Sequence, residues 1–191
     1  MVATLTVPIT MTAAQFATLP EPIHGGKMEL VRGRVVIMVP VGPGHGKRTV
    51  RGSRRLDEFA ERHNLGDVRT ETGYWLSAGP DDVRGPDISF VSRERLLTEK
   101  IFNGFVVQPP DLAVEVTSPN DSESEIAEKV ELYLASGVKR VWVLRPDRKT
   151  VTVHRPGGDS HTFAVGDSLT SDDATFSVDG FDLPLATLFA D

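Results

Sequence analysis

The chain has 191 residues, a formal net charge of −6 from 27 acidic and 21 basic residues, and no cysteine. The charge argues against a protein that coats nucleic acid through bulk positive charge, although a local basic site remains compatible with it. The lack of cysteine excludes disulfides, thiolate zinc sites and cysteine nucleophiles, so a metal would have to bind oxygen or histidine nitrogen. Without a signal-peptide pattern or a long apolar run, we expect a cytoplasmic protein that is not bound to a membrane.

The length fits one domain, which we expect to span residues 1–191 with residues 1–10 as an N-terminal arm. Periodicity, capping residues and turn residues give the predicted elements. In chain order they are a helix at 13–19, a hairpin of strands 28–31 and 34–39, a loop at 42–44, a helix at 47–62, strands at 68–72, 74–76 and 87–91, a short helix and loop within 93–108, a strand at 112–116, a helix at 122–135, strands at 140–144 and 150–155, and short strands from 161 that end in a helical turn at 185–189. Many strands with two long helices predict an α/β (α+β) fold, with a mixed β-sheet flanked by helices.

One carboxylate interrupts a strand that is otherwise apolar. Glu115 lies in Leu112-Ala113-Val114-Glu115-Val116, and a buried carboxylate needs a partner or a metal. Asp87 begins a second strand, in which Asp87 and Ser89 share one face. If the two strands are neighbours, their acids can converge and bind a hard cation such as Mg²⁺, with Mn²⁺ as an alternative ion.

Lys129 lies at the edge of the apolar stripe of the helix at 122–135, beside Ile126 and Tyr133. Such a lysine can extend its stem along the boundary of the core as a purely structural residue. It can also reach a metal-bound water and stabilise the charge that develops on a phosphate. The spacing alone leaves both interpretations open.

At these residues the chain resembles the PD-(D/E)XK nuclease superfamily and, within it, the restriction endonuclease-like proteins of the Uma type. The resemblance covers residues 10–189. The segments that carry it are Glu29-Leu30-Val31-Arg32-Gly33, Gly44-His45-Gly46, Gly85-Pro86-Asp87-Ile88-Ser89-Phe90-Val91, Pro109-Pro110-Asp111-Leu112-Ala113-Val114-Glu115-Val116-Thr117-Ser118-Pro119, Glu128-Lys129, Tyr133, Gly137-Val138 and Trp142.

The resemblance implies a restriction-endonuclease-like fold and a site in which Asp87 and Glu115 bind the metal and the backbone carbonyl of Val116 adds a third ligand. It also implies that Glu29 is the early acid, which can join the shell of the metal or of the water. The superfamily's usual lysine, two residues after the acid, is absent because Thr117 stands there. In the Uma-type group a helix lysine replaces it, and Lys129 is the matching residue.

The helix after His45 carries five basic residues whose spacing places them on one broad face. We expect them to contact phosphates, which would position a DNA backbone without reading its sequence. A solvated basic face with no ligand is the alternative. The residues are Lys47, Arg48, Arg51, Arg54 and Arg55, with His45 grouped beside them although no role can be derived for it.

Three functions are compatible with these features. The first is a Mg²⁺-dependent endonuclease that hydrolyses DNA and acts as a homodimer, as the superfamily resemblance implies. The second is a catalytically inactive nucleic-acid-binding or structural module on the same fold. The third is another carboxylate enzyme, such as a glycosidase, in which Lys129 and the basic helix would have no evident use.

Overall fold

The computed structural model describes residues 10–22, 25–119 and 121–190. Nearly all of the predicted N-terminal arm therefore lies outside the described residues. The helices are α1 (Ala13–Phe16), α2 (Pro43–His63), α3 (Arg93–Leu96), α4 (Glu123–Ala135) and α5 (Leu185–Leu188). The strands are β1 (Lys27–Val31), β2 (Arg34–Met38), β3 (Gly66–Arg69), β4 (Tyr74–Ser77), β5 (Asp82–Arg84), β6 (Ile88–Ser92), β7 (Ile101–Phe102), β8 (Phe105–Val106), β9 (Leu112–Val116), β10 (Arg140–Arg145), β11 (Thr150–His154), β12 (Ser160–Ala164), β13 (Ser168–Thr170) and β14 (Asp182–Pro184).

Most of the strands belong to two mixed six-stranded sheets, so the predicted α/β class is confirmed. Sheet A has the order β2-β1-β5-β4-β8-β7, sheet B has the order β12-β11-β10-β9-β6-β3, and β13 pairs with β14 in a small third sheet. In sheet B, β9 and β10 are parallel and α4 connects them, as in a βαβ unit. The chain passes from sheet A to sheet B between β5 and β6, at Gly85-Pro86-Asp87.

The elements with strong local signals are confirmed. The first hairpin turns at Arg32 and Gly33, which both have positive φ, 49° and 74°, as a two-residue hairpin turn with a right-handed strand twist requires. Strand β9 has the predicted bounds. Helix α4 begins with the predicted capping box, in which Ser122 and Glu125 exchange side-chain and backbone hydrogen bonds.

Several predicted boundaries are wrong. Helix α1 ends at Phe16 rather than at residue 19, and β3 covers 66–69 rather than 68–72. Helix α2 begins at Pro43, because Gly42 serves as its N-cap and proline suits the first helical position, so most of the predicted loop is helical. The segment at 93–108 holds the small β7–β8 hairpin in addition to α3. Strand β5 is too short to show a periodic pattern in the sequence.

Sheet B has a core on each face. On one face Leu56 and Ala60 of α2 pack with Ile88 and Phe90 of β6 and with the C-terminal segment that includes Leu188. On the other face the apolar stripe of α4 packs on the sheet: Val130 and Tyr133, with Ile126 and Leu134, lie against Ala113, Val141 and Val143. The predicted apolar face of α4 is therefore confirmed. This packing places the α4 residues that border the apolar face next to the C-terminal half of β9.

Leu56 tests how strongly α2 depends on this core. We expect Leu56→Ala to lower the free energy of unfolding by about 2–5 kcal/mol, because the leucine is fully buried and its loss leaves a cavity. Val50→Ala on the same helix is the control, since Val50 is 64% exposed and its truncation should cost less than about 0.5 kcal/mol. Urea unfolding of both variants measures the difference, and equal midpoints for the two would contradict the packing described.

Candidate active site

Asp87 and Glu115 are brought together by the pairing of β6 with β9. The antiparallel register pairs Ile88 with Val114 and Ser89 with Ala113. One further step along this register places Asp87 opposite Glu115. The backbone N–H of Val116 donates a hydrogen bond of 2.7 Å to Oδ2 of Asp87. The condition under which the sequence predicted convergence of the acids, that their strands are neighbours, is therefore met.

The strand alternation directs Glu115 toward α4. Ala113, two residues earlier on the same face, packs against Val130 and Tyr133 of this helix. The hydroxyl of Tyr133 donates a hydrogen bond of 2.8 Å to Oε1 of Glu115, and Nζ of Lys129 donates one of 3.1 Å to Oε2. The structure places the amine of Lys129 at the carboxylate of Glu115, and its action on a metal-bound water stays a prediction.

Glu29 brings a third carboxylate from sheet A. Its side chain, only 2% exposed, lies with Oε2 3.2 Å from Nη1 of Arg84 and 3.7 Å from Nζ of Lys129. The other oxygen, Oε1, accepts the N–H of Gly85 at 3.1 Å and lies 3.7 Å from Nζ of Lys27. Glu29 therefore joins β1 to the segment that leads into Asp87.

The surroundings of the three acids shift their pKa values in different directions. Burial opposes ionisation of Glu29, but Lys129, Lys27 and Arg84 outweigh it and hold its pKa below the ordinary value. Burial likewise opposes ionisation of Asp87, and the hydrogen bond with His45 and the charge of Lys27 outweigh it, so its pKa is also lowered. The pKa of Glu115 is raised by burial, and the negative charge of Asp87 adds to this despite Lys129.

His45 lies against the site. Its Nε2 is 3.2 Å from Oδ2 of Asp87, and that hydrogen bond raises the pKa of the imidazole. The early start of α2 at Pro43 places His45 in the first turn of the helix, with its side chain against Asp87. The sequence grouped His45 with the nucleic-acid contacts, whereas the structure gives it a carboxylate partner.

Three further residues contribute polar groups to the site, although the sequence analysis did not predict them as site residues. Tyr133 is four residues after Lys129 on one helix face, and this spacing could have identified it. Lys27 is two residues before Glu29 on one strand face, which is an equally readable signal. Arg84 lies on the short strand β5, for which no pattern was visible.

Asp111, an acid of the same motif, has a structural role. It is fully buried, accepts the N–H of Ser92 at 2.7 Å, and pairs with Arg95 at 3.1 Å and Lys139 at 2.7 Å. These contacts fix the start of β9 and lie away from the carboxylates of Glu29 and Glu115.

The basic residues of α2 have mostly intramolecular contacts. Arg48 donates to the carbonyl of Gly44, Arg55 to that of Asp182 and Arg51 to that of Ala190. Arg54 pairs with Glu58 at 2.7 Å, and Lys47 is exposed. The arginines thus tie the helix to itself and to the C-terminal segment, while their contact with phosphate stays a prediction.

The site opens into a cleft of about 1030 Å³ whose lining includes Lys27, His45, Asp87, Glu115 and Lys129. Among the described residues, no group of three His, Asp and Glu side chains is arranged to bind a metal. Asp87 and Glu115 nevertheless fit a hard divalent cation, which is commonly held by one or two carboxylates with water or phosphate as the other ligands.

Comparison with known proteins gives two matches of different kinds. The family model described as "Uma2: Putative restriction endonuclease" matches residues 13–185. A crystal structure of a "putative nuclease belonging to DUF820" from Anabaena variabilis ATCC 29413 has a TM-score of 0.75 at 23% identity, over 96% of this chain and 98% of that one, which shows a shared fold. No curated protein matches the chain.

Within the described residues, no helix has the length and apolar character needed to cross a membrane.

Glu29 tests the charge balance of the site. Because its pKa is below the ordinary value of 4.5, the ionised carboxylate stabilises the fold above that pH, and this contribution is lost as the pH falls through the lowered pKa. We expect Glu29→Gln to cost about 3–5 kcal/mol near neutral pH, since it removes the buried negative charge that Arg84, Lys27 and Lys129 share. The difference from the wild type should shrink as the pH falls below 4.5.

Urea unfolding at a series of pH values measures this dependence, with the exposed Glu131→Gln on α4 as the matched control. The control should follow the wild type throughout. A deficit of Glu29→Gln that stays constant from neutral to acid pH would show that charge is not its cause.

Proposed function

The chain belongs to the Uma2 family, and from this membership and the carboxylate pair we propose that it is a Mg²⁺-dependent endonuclease that hydrolyses phosphodiester bonds of DNA. The observation that carries the proposal is the placement of Asp87 opposite Glu115 with Nζ of Lys129 3.1 Å from the latter carboxylate. Two acids and an ammonium group at one cleft suit attack of water on a phosphate.

Asp87 and Glu115, with the backbone carbonyl of Val116, would hold Mg²⁺ or, as an alternative, Mn²⁺. A bound cation of this kind neutralises charge on a phosphate and lowers the pKa of a water. The chain's own residues orient the two carboxylates: the Val116 N–H and His45 fix Oδ2 of Asp87, and the Tyr133 hydroxyl fixes Oε1 of Glu115. Fixed donors of this kind require little rearrangement during the reaction.

Lys129 takes the part of the lysine that would otherwise stand at Thr117. Burial opposes its charge, but Glu115 and Glu29 outweigh burial and raise its pKa, so the amine is a cation at neutral pH. Such a cation orients the attacking water and stabilises charge on the phosphate as the 3′ oxygen leaves. It also means that Lys129 is a donor and not a general base. Glu29 holds the amine from the opposite side at 3.7 Å.

The remaining sequence expectations stay proposals of the same kind. Lys47 and Arg54, exposed on α2, are the residues of the basic face best placed to meet a DNA backbone. A homodimer and a cytoplasmic location stay predictions from the sequence. The second candidate function is an inactive nucleic-acid-binding module on this fold, and Lys129 opposes it because the amine lies at the carboxylates rather than in solvent.

The first test is the metal and carboxylate dependence of cleavage. We expect the purified protein to cleave DNA with Mg²⁺ or Mn²⁺ and to lose cleavage in EDTA. Asp87→Asn and Glu115→Gln should each lower the rate by about 100-fold or more, because each removes a charged ligand while keeping the side-chain shape. Gel assays on linear and circular DNA, with RNA in parallel, measure this, and calorimetry measures binding of Mg²⁺.

Glu131→Gln, an exposed change on α4, is the control and should cleave like the wild type. Cleavage without a metal, or cleavage that survives both carboxylate changes, would contradict the proposal. A folded protein that binds DNA without cleaving it, and does not bind Mg²⁺, would support the inactive module instead.

Lys129 can be separated from metal binding. We expect Lys129→Met to lower the cleavage rate by about 100-fold while Mg²⁺ binds as tightly as before or more tightly, because a positive charge has been removed beside the carboxylates. Lys129→Arg should recover part of the rate. The exposed Lys100→Met serves as the control, and parallel losses of metal binding and cleavage in Lys129→Met would argue that the lysine only supports the fold.

A further inference from the structure

Lys27 is a second lysine at the cleft, and the proposed mechanism does not use it. It begins β1, and its amine donates to the carbonyl of Gly85, two residues before Asp87. The same nitrogen is 2.9 Å from Oε2 of Glu71 and 3.7 Å from Oε1 of Glu29. The amine is therefore held at the entrance of the segment that leads into the site.

Lys27 and Lys129 lie on opposite sides of Glu29. Lys27 approaches Oε1 from β1, and Lys129 approaches Oε2 from α4. Both amines line the cleft that contains Asp87 and Glu115. Burial opposes the charge of Lys27, but Glu115, Glu29 and Asp87 outweigh it and raise its pKa, so this amine is also a cation at neutral pH.

Gly85 provides the room for this amine. A Cβ built on Gly85 would lie 3.1 Å from Cε of Lys27 and 3.5 Å from the carbonyl oxygen of Glu71. Any side chain at position 85 would thus press on the lysine at the point where it contacts the backbone. The glycine before Pro86-Asp87 therefore leaves Lys27 in close contact with the backbone that leads to Asp87.

The second carboxylate on Lys27 differs from the first in its access to solvent. Glu29 is 2% exposed and is fixed by further donors, whereas Glu71 is 52% exposed. Glu71 has a left-handed backbone, with φ of 53°, which is uncommon for a residue other than glycine. This exposed carboxylate can leave the amine at little cost, because water can solvate it.

We propose that Lys27 binds a phosphate oxygen of the substrate strand beside the carboxylate pair, and that Glu71 is the carboxylate which this phosphate displaces. The inference rests on the proposed function, since it names the phosphate contact of the same site. A phosphate oxygen and a carboxylate oxygen are both anionic acceptors, so one can replace the other at an ammonium group. Lys129 stays paired with Glu115 and Glu29, so the two lysines have separate tasks: Lys27 binds the phosphate and Lys129 acts on the water.

Substitutions of Lys27 and Glu71 should change the KM for DNA in opposite directions, and a folding defect would not do this. Lys27→Met should raise the KM for DNA by about 10-fold or more and lower the slope of log affinity against log salt by about 1, because one phosphate contact is lost. Glu71→Gln should lower KM by about 2- to 10-fold, since the competing charge is gone while the side-chain shape is kept. Lys27→Arg should recover part of the loss.

Steady-state cleavage gives KM and kcat, and fluorescence anisotropy with a labelled oligonucleotide in Ca²⁺ gives binding over a series of salt concentrations. Lys100→Met and Glu94→Gln, both exposed, are the matched controls, and thermal unfolding verifies that each variant is folded. Glu71→Gln tests the proposal even if Lys27→Met fails to fold. A lower KM in that variant supports it, because loss of structure would not improve binding.

Wild-type cleavage with a KM that neither variant changes would overturn this inference alone. An unchanged or higher KM in Glu71→Gln would overturn the role of Glu71 as the displaced anion. A wild-type protein that binds the oligonucleotide with the predicted Lys27 dependence but does not cleave it would overturn the nuclease function and leave the phosphate contact supported. A wild-type protein that neither binds nor cleaves would overturn both.

Discussion

The structure depends on a set of buried carboxylates that are stable only because cations and N–H groups surround them. Glu29 has Arg84, Lys129 and the N–H of Gly85, and Asp87 has His45 and the N–H of Val116. An isolated buried carboxylate would be protonated or would destabilise the fold, so these donors are a condition for folding as much as for chemistry. Glu115 differs from the other two, because burial, together with the negative charge of Asp87, raises its pKa despite Lys129.

Much of this arrangement was predictable because local rules determine it. The capping box of α4, the hairpin turn at Arg32-Gly33 and the apolar strand around Glu115 each depend on residues within a few positions of one another. Strand alternation also assigns Glu115 and Asp87 to defined faces of their strands, and this assignment does not depend on which strands pair. The family resemblance singled out Lys129, and the structure locates its amine at the carboxylate.

The remaining features could not be predicted because they depend on contacts between distant segments. Arg84 belongs to a strand of three residues whose pairing with β1 and β4 defines it more than its own sequence does. The basic residues of α2 form an apparent binding face in the sequence, yet three of the arginines contact backbone carbonyls at Gly44, Asp182 and Ala190. Arg48 finds its partner four residues away, whereas the partners of Arg55 and Arg51 belong to the C-terminal segment, which is more than a hundred residues away in the chain.

The chain passes between sheets A and B at several points, and at the crossing at Gly85-Pro86-Asp87 the residues of the site also connect the sheets. Asp87 and Glu115 belong to the side of sheet B, whereas Lys27 and Glu29 belong to sheet A, and the contacts of Glu29 and Lys27 with Gly85 span the junction. The hydrogen bonds of Glu29 and Lys27 with Gly85 beside the cleft therefore also help to connect the two sheets. Salt screens buried polar contacts much less than exposed ones. These contacts between the sheets should therefore persist at ionic strengths that weaken binding to a nucleic-acid backbone. An increase in salt should thus weaken binding of the substrate while it leaves the association of the two sheets intact.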